Sequence, residues 1–152
     1  MYNARMNNIK SSKENTLSAS ELKTVLSNHK IWLETSGRDG ESANLKDCYL
    51  KGAVLLGADL SNADLEGANL YGAYFKNANL ENCNLRGANL RGANLRWANL
   101  KNADLKNANL TRADFMKAEI KDAHLEGANL KMAEGLTSEQ LAEAHTDEKT
   151  IL

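Results

Sequence analysis

The residues best suited to chemistry are two cysteines and three histidines: Cys48, Cys83, His29, His124 and His145. A metal site needs several such side chains, or carboxylates, around one ion, and a nucleophile needs a base beside it. No pair of these residues has the spacing of a metal motif, and no nucleophile has a placed base. The sequence therefore predicts no active site, metal or cofactor, and the protein is not expected to be an enzyme.

Structural roles are expected for the same residues. Cys48 and Cys83 stand where neighbouring segments have alanine, which predicts small buried thiols too far apart for a disulfide. His29 and Trp32 are one helical turn apart and are expected to pack together. His124 takes a position usually held by Asn or Asp, which predicts that it faces outward.

The elements that must position these residues follow a five-residue period, repeated 18 times from Ala43 to Met132. The third residue of each unit is Leu, Phe or Ile, the first is Ala or Cys, and the second is mostly Asn or Asp. Such a period fits neither regular element: anchors would rotate by about 140° on a helix and would alternate faces on a strand. The fifth residue is Gly, Asn or Asp in most units, so each unit is predicted to end in a turn.

The motif Ala-(Asn/Asp)-Leu-x-x, as in Ala58-Asp59-Leu60-Ser61-Asn62, resembles that of the pentapeptide-repeat family. The resemblance implies an all-β solenoid, a right-handed quadrilateral parallel β-helix with four units per coil, and hence about 4.5 coils here. A 20-residue period is also suggested by the turn residues Asn62, Asn82, Asn102 and Asp122. The column Asn69, Asn89, Asn109 and Asn129 is expected to form a hydrogen-bonded side-chain ladder.

Four segments are predicted. Residues 1–15 form a disordered N-terminal tail, 16–42 a cap helix and linker, 43–133 the β-helix, and 134–152 a cap helix with an acidic tail. Each cap helix begins at a capping-box spacing, Ser18 with Glu21 and Thr137 with Gln140. Segment 134–152 has five acidic residues and one lysine.

Apolar residues that should face solvent concentrate on the third side of the coil. They are Val54, Leu56, Tyr74, Trp97 and Met116, with Tyr49 and Tyr71 on the neighbouring side. A contiguous exposed apolar surface is typical of an interaction site, so we expect a partner or self-association surface here. The alternatives are a cover formed by the N-terminal segment or the acidic tail, and chance.

Five consecutive units carry a cation after the anchor: Arg86, Arg91, Arg96, Lys101 and Lys106. On a four-sided coil they form a belt around the axis, whereas nucleic-acid binding favours charge on one face. The belt is therefore expected to be solvated, and no nucleic-acid partner is predicted.

These patterns favour a non-enzymatic scaffold that binds an unidentified protein or a second copy of itself. The alternative comes from the resemblance: some family members mimic DNA and regulate DNA gyrase. Mimicry of a phosphate backbone needs strongly negative sides, whereas the whole chain has a net charge of −1. No long apolar run or signal-like segment is present, so we expect a cytoplasmic protein without a membrane partner.

Overall fold

The computed structural model describes residues 15–152, so the predicted disordered tail lies outside the described residues except for Asn15. The five-residue units pair through parallel bridges between residues 20 apart, such as Asn44 with Asp64 and Asn89 with Asn109. Since 20 residues make four units, each coil has four five-residue sides. The repeats therefore form a four-sided parallel β-helix, in which each side contributes a single bridged residue.

We number the sides by the second residues of their units. Side 1 carries Asn44, Asp64, Asn84, Asp104 and His124; side 2 carries Tyr49, Asn69, Asn89, Asn109 and Asn129; side 3 carries Val54, Tyr74, Asn94, Asp114 and Glu134; side 4 carries Asp59, Asn79, Asn99 and Glu119. Further bridges extend side 1 by His145 and side 2 by Thr16 and Ile151.

Every backbone N–H of a typical unit finds a partner, as the unit Ala88–Gly92 shows. Ala88 donates to Leu85 within the coil, while Asn89, Leu90 and Gly92 donate to carbonyls of the adjacent coils. The remaining N–H, that of Arg91, donates to the side-chain Oδ1 of Asn89 at 3.3 Å. Asn or Asp at the second position therefore satisfies a backbone donor that the coils leave unpaired.

The core is a column of anchors and small residues inside the coil. All 18 anchor side chains are buried, including Phe75 and Phe115 two coils apart on side 3. Cys83 is buried, and its Sγ donates to the carbonyl of Leu60 at 2.8 Å. Burial raises the pKa of Cys83 to about 12, which keeps the thiol neutral. Cys48 is half-buried, and both cysteines are free.

The turns explain the fifth position. The fifth residue has a positive φ in all 18 units, a conformation that Gly, Asn and Asp adopt with the least strain. Four other residues hold it nonetheless: Trp97, Arg112, Lys117 and Met132.

Helix α1, Ala19–Glu34, lies at the N-terminal end of the β-helix, which we also call the tower. Its N-terminus has the expected capping box between Ser18 and Glu21. His29 is fully buried, stacks on Trp32 with ring centroids 5.6 Å apart, and accepts a hydrogen bond from the Ala43 N–H at 3.0 Å. Burial lowers the pKa of His29, so its structural position favours the neutral ring. The packing predicted for His29 and Trp32 is confirmed.

Helix α2, Ser138–Ala142, lies at the other end and has the expected capping box between Thr137 and Gln140. The Gln140 side chain also donates to the carbonyl of Ala118 at 2.7 Å, which ties the helix to the coil. Neither helix is long and apolar enough to span a membrane, within the residues that the structure describes.

Candidate interaction surface

On sides 1 and 4, side chains of neighbouring coils form hydrogen bonds with one another. On side 4, the amide nitrogen of Asn79 donates to Asp59 at 3.1 Å and that of Asn99 donates to Asn79 at 3.2 Å. On side 1, Asn84 donates to Asp64 at 3.0 Å. These sides therefore carry side-chain ladders of the kind that the sequence predicts for asparagine columns.

The expected ladder on side 2 is wrong. Its residues Asn69, Asn89, Asn109 and Asn129 each accept the N–H two residues ahead through Oδ1. Their amide nitrogens donate to no group in residues 15–152. A bond from the unit's own backbone does not by itself prevent a ladder, because Asn79 Oδ1 on side 4 accepts both the Glu81 N–H and the Asn99 amide. Side 2 differs from sides 1 and 4 in having no carboxylate among its units.

The cations of the predicted belt differ in their pairing. Arg86 lies 3.1 Å from Asp104, Arg96 lies 3.7 Å from Asp114, and Lys106 lies 3.5 Å from Glu126. Lys101 pairs with Glu119. Arg91, on side 2, belongs to no ion pair within the described part of the chain. The belt is therefore neutralised on three sides and not on the fourth.

All seven residues of the predicted apolar surface are exposed, with 41 to 68% of each residue accessible. We call this set, Val54, Leu56, Tyr74, Trp97, Met116, Tyr49 and Tyr71, the apolar surface. Met132 is 58% exposed near it, at the turn from side 2 to side 3. The sequence signal for Met132 was its place at the fifth position, which usually holds Gly, Asn or Asp.

Three residues of the apolar surface take a second position without meeting its backbone requirement. Tyr49, Val54 and Tyr74 have no side-chain acceptor for the N–H two residues ahead, which Asn or Asp supplies elsewhere. An exposed polar group that is not paired within the chain is left to water. The fold gains nothing there that Asn would not supply.

Trp97 shows the same departure at a turn. Its φ is +56°, and a bulky residue in this region costs on the order of 1–3 kcal/mol. Lys76 Nζ and Arg96 Cζ lie 5.0 and 5.3 Å from its ring centroid. Arg96 also donates to Met116 Sδ at 2.8 Å. The result is an exposed aromatic residue set among cations.

The described termini leave the apolar surface open. Side chains of α1, Leu26, Lys30 and Leu33, line an open groove of about 550 Å³ with Val54 and Leu56. Even there Val54 is 68% exposed. Residues 15–42 and 134–152 therefore do not form the cover that was the alternative interpretation, whereas residues 1–14 lie outside the description.

The remaining histidines meet at the end of side 1. His124 and His145 stack with ring centroids 4.6 Å apart, and His124 Nδ1 lies 3.0 Å from Glu126 Oε1. Burial acts to raise the pKa of Glu126, but the contacts with His124 and Lys106 outweigh it and lower the pKa. No cluster of three or more His, Cys, Asp or Glu fit to hold a metal occurs in residues 15–152.

A four-sided coil of five-residue units defines a class of β-solenoid, and comparison with known proteins identifies the family. The family model for pentapeptide repeats matches in eight copies over residues 43–82, 68–107 and 93–131. The matches cover more than half of the chain, so the chain belongs to the pentapeptide-repeat family. No curated protein sequence matches it.

Solved structures share the fold, among them two pentapeptide repeat proteins. A pentapeptide repeat protein from Nostoc PCC 7120 is 27% identical with a TM-score of 0.63, covering 82% of this chain and 96% of its own. One from the Arabidopsis thaliana thylakoid lumen is 28% identical with a TM-score of 0.52, covering 65% of this chain and 68% of its own. Proteins of this family are generally non-enzymatic scaffolds.

Proposed function

We propose that this protein is a non-enzymatic scaffold that binds a protein partner, or a second copy of itself, through the apolar surface. The finer picture of the tower belongs to the same proposal: a right-handed helix of about four and a half coils with a helical cap at each end. The rigid coils would hold the exposed side chains at fixed spacing.

The observation that carries this proposal is the departure of the apolar surface from the rules of the repeat. Asn suits the second position of a unit, but Tyr49, Val54 and Tyr74 stand there. Gly or Asn suits the turn, but Trp97 stands at one. These residues are exposed, so the core does not require them. Large apolar side chains that neither fill the core nor satisfy the backbone are typical of interaction sites.

The DNA-mimic alternative receives less support. A gyrase-binding mimic presents rows of negative charge, whereas the units of side 2 carry Lys51, Arg91, Arg112 and Lys131 and no acidic residue. We expect no effect of the protein on gyrase supercoiling or its inhibition.

The test is a pair of charge substitutions at turns. Trp97→Glu places a charge in the apolar surface, and Asn102→Glu places one at the corresponding turn of side 4, where the φ is also +56°. We expect Trp97→Glu, and not Asn102→Glu, to abolish either capture of a partner from a lysate of the source organism or self-association in sedimentation velocity.

Thermal melts separate a binding defect from a folding defect. The proposal requires Trp97→Glu to unfold near the wild-type temperature. Asn102→Glu is expected to unfold a few degrees lower, because Glu fits the positive φ less well than Asn. If Trp97→Glu unfolds the tower, or if both variants retain the same partners and the same oligomeric state as the wild type, the apolar surface is not the binding site.

A further inference from the structure

Side 2 differs from the other three sides in charge. Its units contain four cations, Lys51, Arg91, Arg112 and Lys131, and no acidic residue. None of these four joins an ion pair in residues 15–152. The five Lys or Arg ion pairs among the coils lie on sides 1, 3 and 4.

The neutral groups of side 2 are also donors. The four asparagines of this side turn Oδ1 toward their own backbone. Unlike the amide of Asn99 on side 4, their side-chain NH₂ groups donate to no acceptor among the described residues. Coils of a parallel sheet stand about 4.8 Å apart, so side 2 presents a regular column of amide donors flanked by cations.

A face made of donors and cations fits a ligand made of acceptors and negative charge. From the coil of Lys51 to that of Lys131 is four steps, or about 19 Å. An extended polypeptide covers that distance with about six residues. Its carboxylates would accept from the asparagine amides and pair with the arginines and lysines.

The surroundings of side 2 favour a short ligand over a long polyanion. Side 1, next to it, carries Asp47, Asp64, Glu66, Asp104 and Glu126 against three cations, and segment 134–152 has five acids and one lysine. A nucleic-acid duplex or a membrane surface is wider than one side and would meet these acidic neighbours. Single strands are usually held by stacking on several aromatic rings, whereas side 2 has exposed rings, Tyr49 and Tyr71, in its first two units alone and asparagine at Asn89, Asn109 and Asn129 in the next three.

We propose that side 2 is a docking site for a short acidic segment of a partner protein, rich in Asp or Glu and bound in an extended form. This goes beyond the apolar surface, because the asparagine donors and the four cations that carry it lie on side 2. The two surfaces share that side at Tyr49 and Tyr71 alone.

The experiment is a fluorescence-anisotropy titration of the full chain with a labelled octaglutamate peptide, at low and at physiological ionic strength. The variant Arg91→Glu with Arg112→Glu reverses two unpaired cations. Arg86→Glu with Lys101→Glu changes the net charge equally on sides 1 and 4. We expect the first pair to weaken binding at least about tenfold and the control pair less than about threefold.

A second pair tests the amide donors. Asn89→Asp keeps the acceptor for the Arg91 N–H and removes the NH₂ donor, and Asn94→Asp makes the same change on side 3. We expect only Asn89→Asp to weaken binding clearly. Trp97→Glu should leave octaglutamate binding intact, which separates this proposal from the proposed function.

Three results overturn the proposal. In the first, octaglutamate does not bind even at low ionic strength. In the second, the side 2 pair Arg91→Glu with Arg112→Glu and the control pair Arg86→Glu with Lys101→Glu weaken octaglutamate binding equally. In the third, a labelled octathymidylate binds more tightly than octaglutamate and depends on Arg91 and Arg112, which would make the ligand a nucleic acid. Circular dichroism of each variant verifies that the coil is folded.

Discussion

Sides 1 and 4 differ from sides 2 and 3 in how they use the same outward positions. Sides 1 and 4 place Asn and Asp in ladders and match most cations with carboxylates, as in Asn99 with Asn79 and Arg86 with Asp104. Sides 2 and 3 carry the apolar surface and, among the described residues, six of the seven coil cations that join no ion pair, the seventh being Lys121 on side 4. All four sides share one core, so the difference lies outside it. A repeat that needs only its inward residues for folding leaves its outward residues free to diverge.

Truncation of a buried anchor should destabilise the protein equally whether the anchor lies on sides 1 and 4 or on sides 2 and 3. Leu85→Ala on side 1 and Leu95→Ala on side 3 each remove a fully buried anchor. We expect each to lower the free energy of unfolding by about 2–5 kcal/mol, measured by chemical denaturation. A much smaller effect on side 3 would show that the two halves do not share a continuous core.

Asparagines at the same repeat position should contribute differently to stability on side 4 and on side 2. Asn99 accepts the Lys101 N–H and also donates to Asn79 and Glu81, whereas Asn89 only accepts the Arg91 N–H. We expect Asn99→Ala to cost about 2 kcal/mol and Asn89→Ala about 1 kcal/mol in unfolding free energy. Equal losses of unfolding free energy would contradict the difference between side 4, whose asparagines hydrogen-bond between coils, and side 2, whose asparagines do not.

Acid should weaken side 1 through its ion pairs, with the smallest effect of the series. The hydrogen bond from Lys46 lowers the pKa of Glu66 below its ordinary value of 4.5. A carboxyl with a lowered folded-state pKa contributes its stability above 4.5 and loses it as the pH falls through the lower value. We expect Glu66→Gln to have a slightly lower melting temperature than wild type at neutral pH.

The same melts at low pH complete this test. The difference between Glu66→Gln and wild type should shrink as the pH falls below 4.5. A difference that stays constant with pH would show that the carboxylate charge contributes nothing. The exposed pair Lys30 and Glu34 on α1 offers a control in Glu34→Gln.

The fold was predictable because the repeat states its inward rule 18 times. Leu, Phe and Ile at the third position and Ala at the first define what lies inside, and Gly, Asn or Asp at the fifth defines the turn. The exposure of the apolar surface followed from the same rule. The sequence also predicted that Trp97 lies at a turn, because it is the fifth residue of its unit and the neighbouring units fix that position.

What the sequence could not supply was the direction of individual side-chain bonds. Asn89 and Asn99 occupy the same repeat position, yet only the second donates to a neighbouring coil. The difference depends on which acceptors the adjacent coils offer: side 4 has Asp59 and Glu81, whereas side 2 has no carboxylate. The pairing of Arg86 and the isolation of Arg91 depend in the same way on residues 18 to 20 positions away.

The most direct test of the central claim is the unfolding free energy of the triple variant Val54→Asn, Tyr74→Asn and Trp97→Asn. Asn at 54 and 74 restores an acceptor for the Leu56 and Lys76 N–H groups, and Asn at 97 relieves strain at the turn. We predict a stability equal to wild type or higher by up to about 2 kcal/mol. A loss of more than about 1 kcal/mol would show that the apolar surface serves folding, and would contradict its assignment as a binding site.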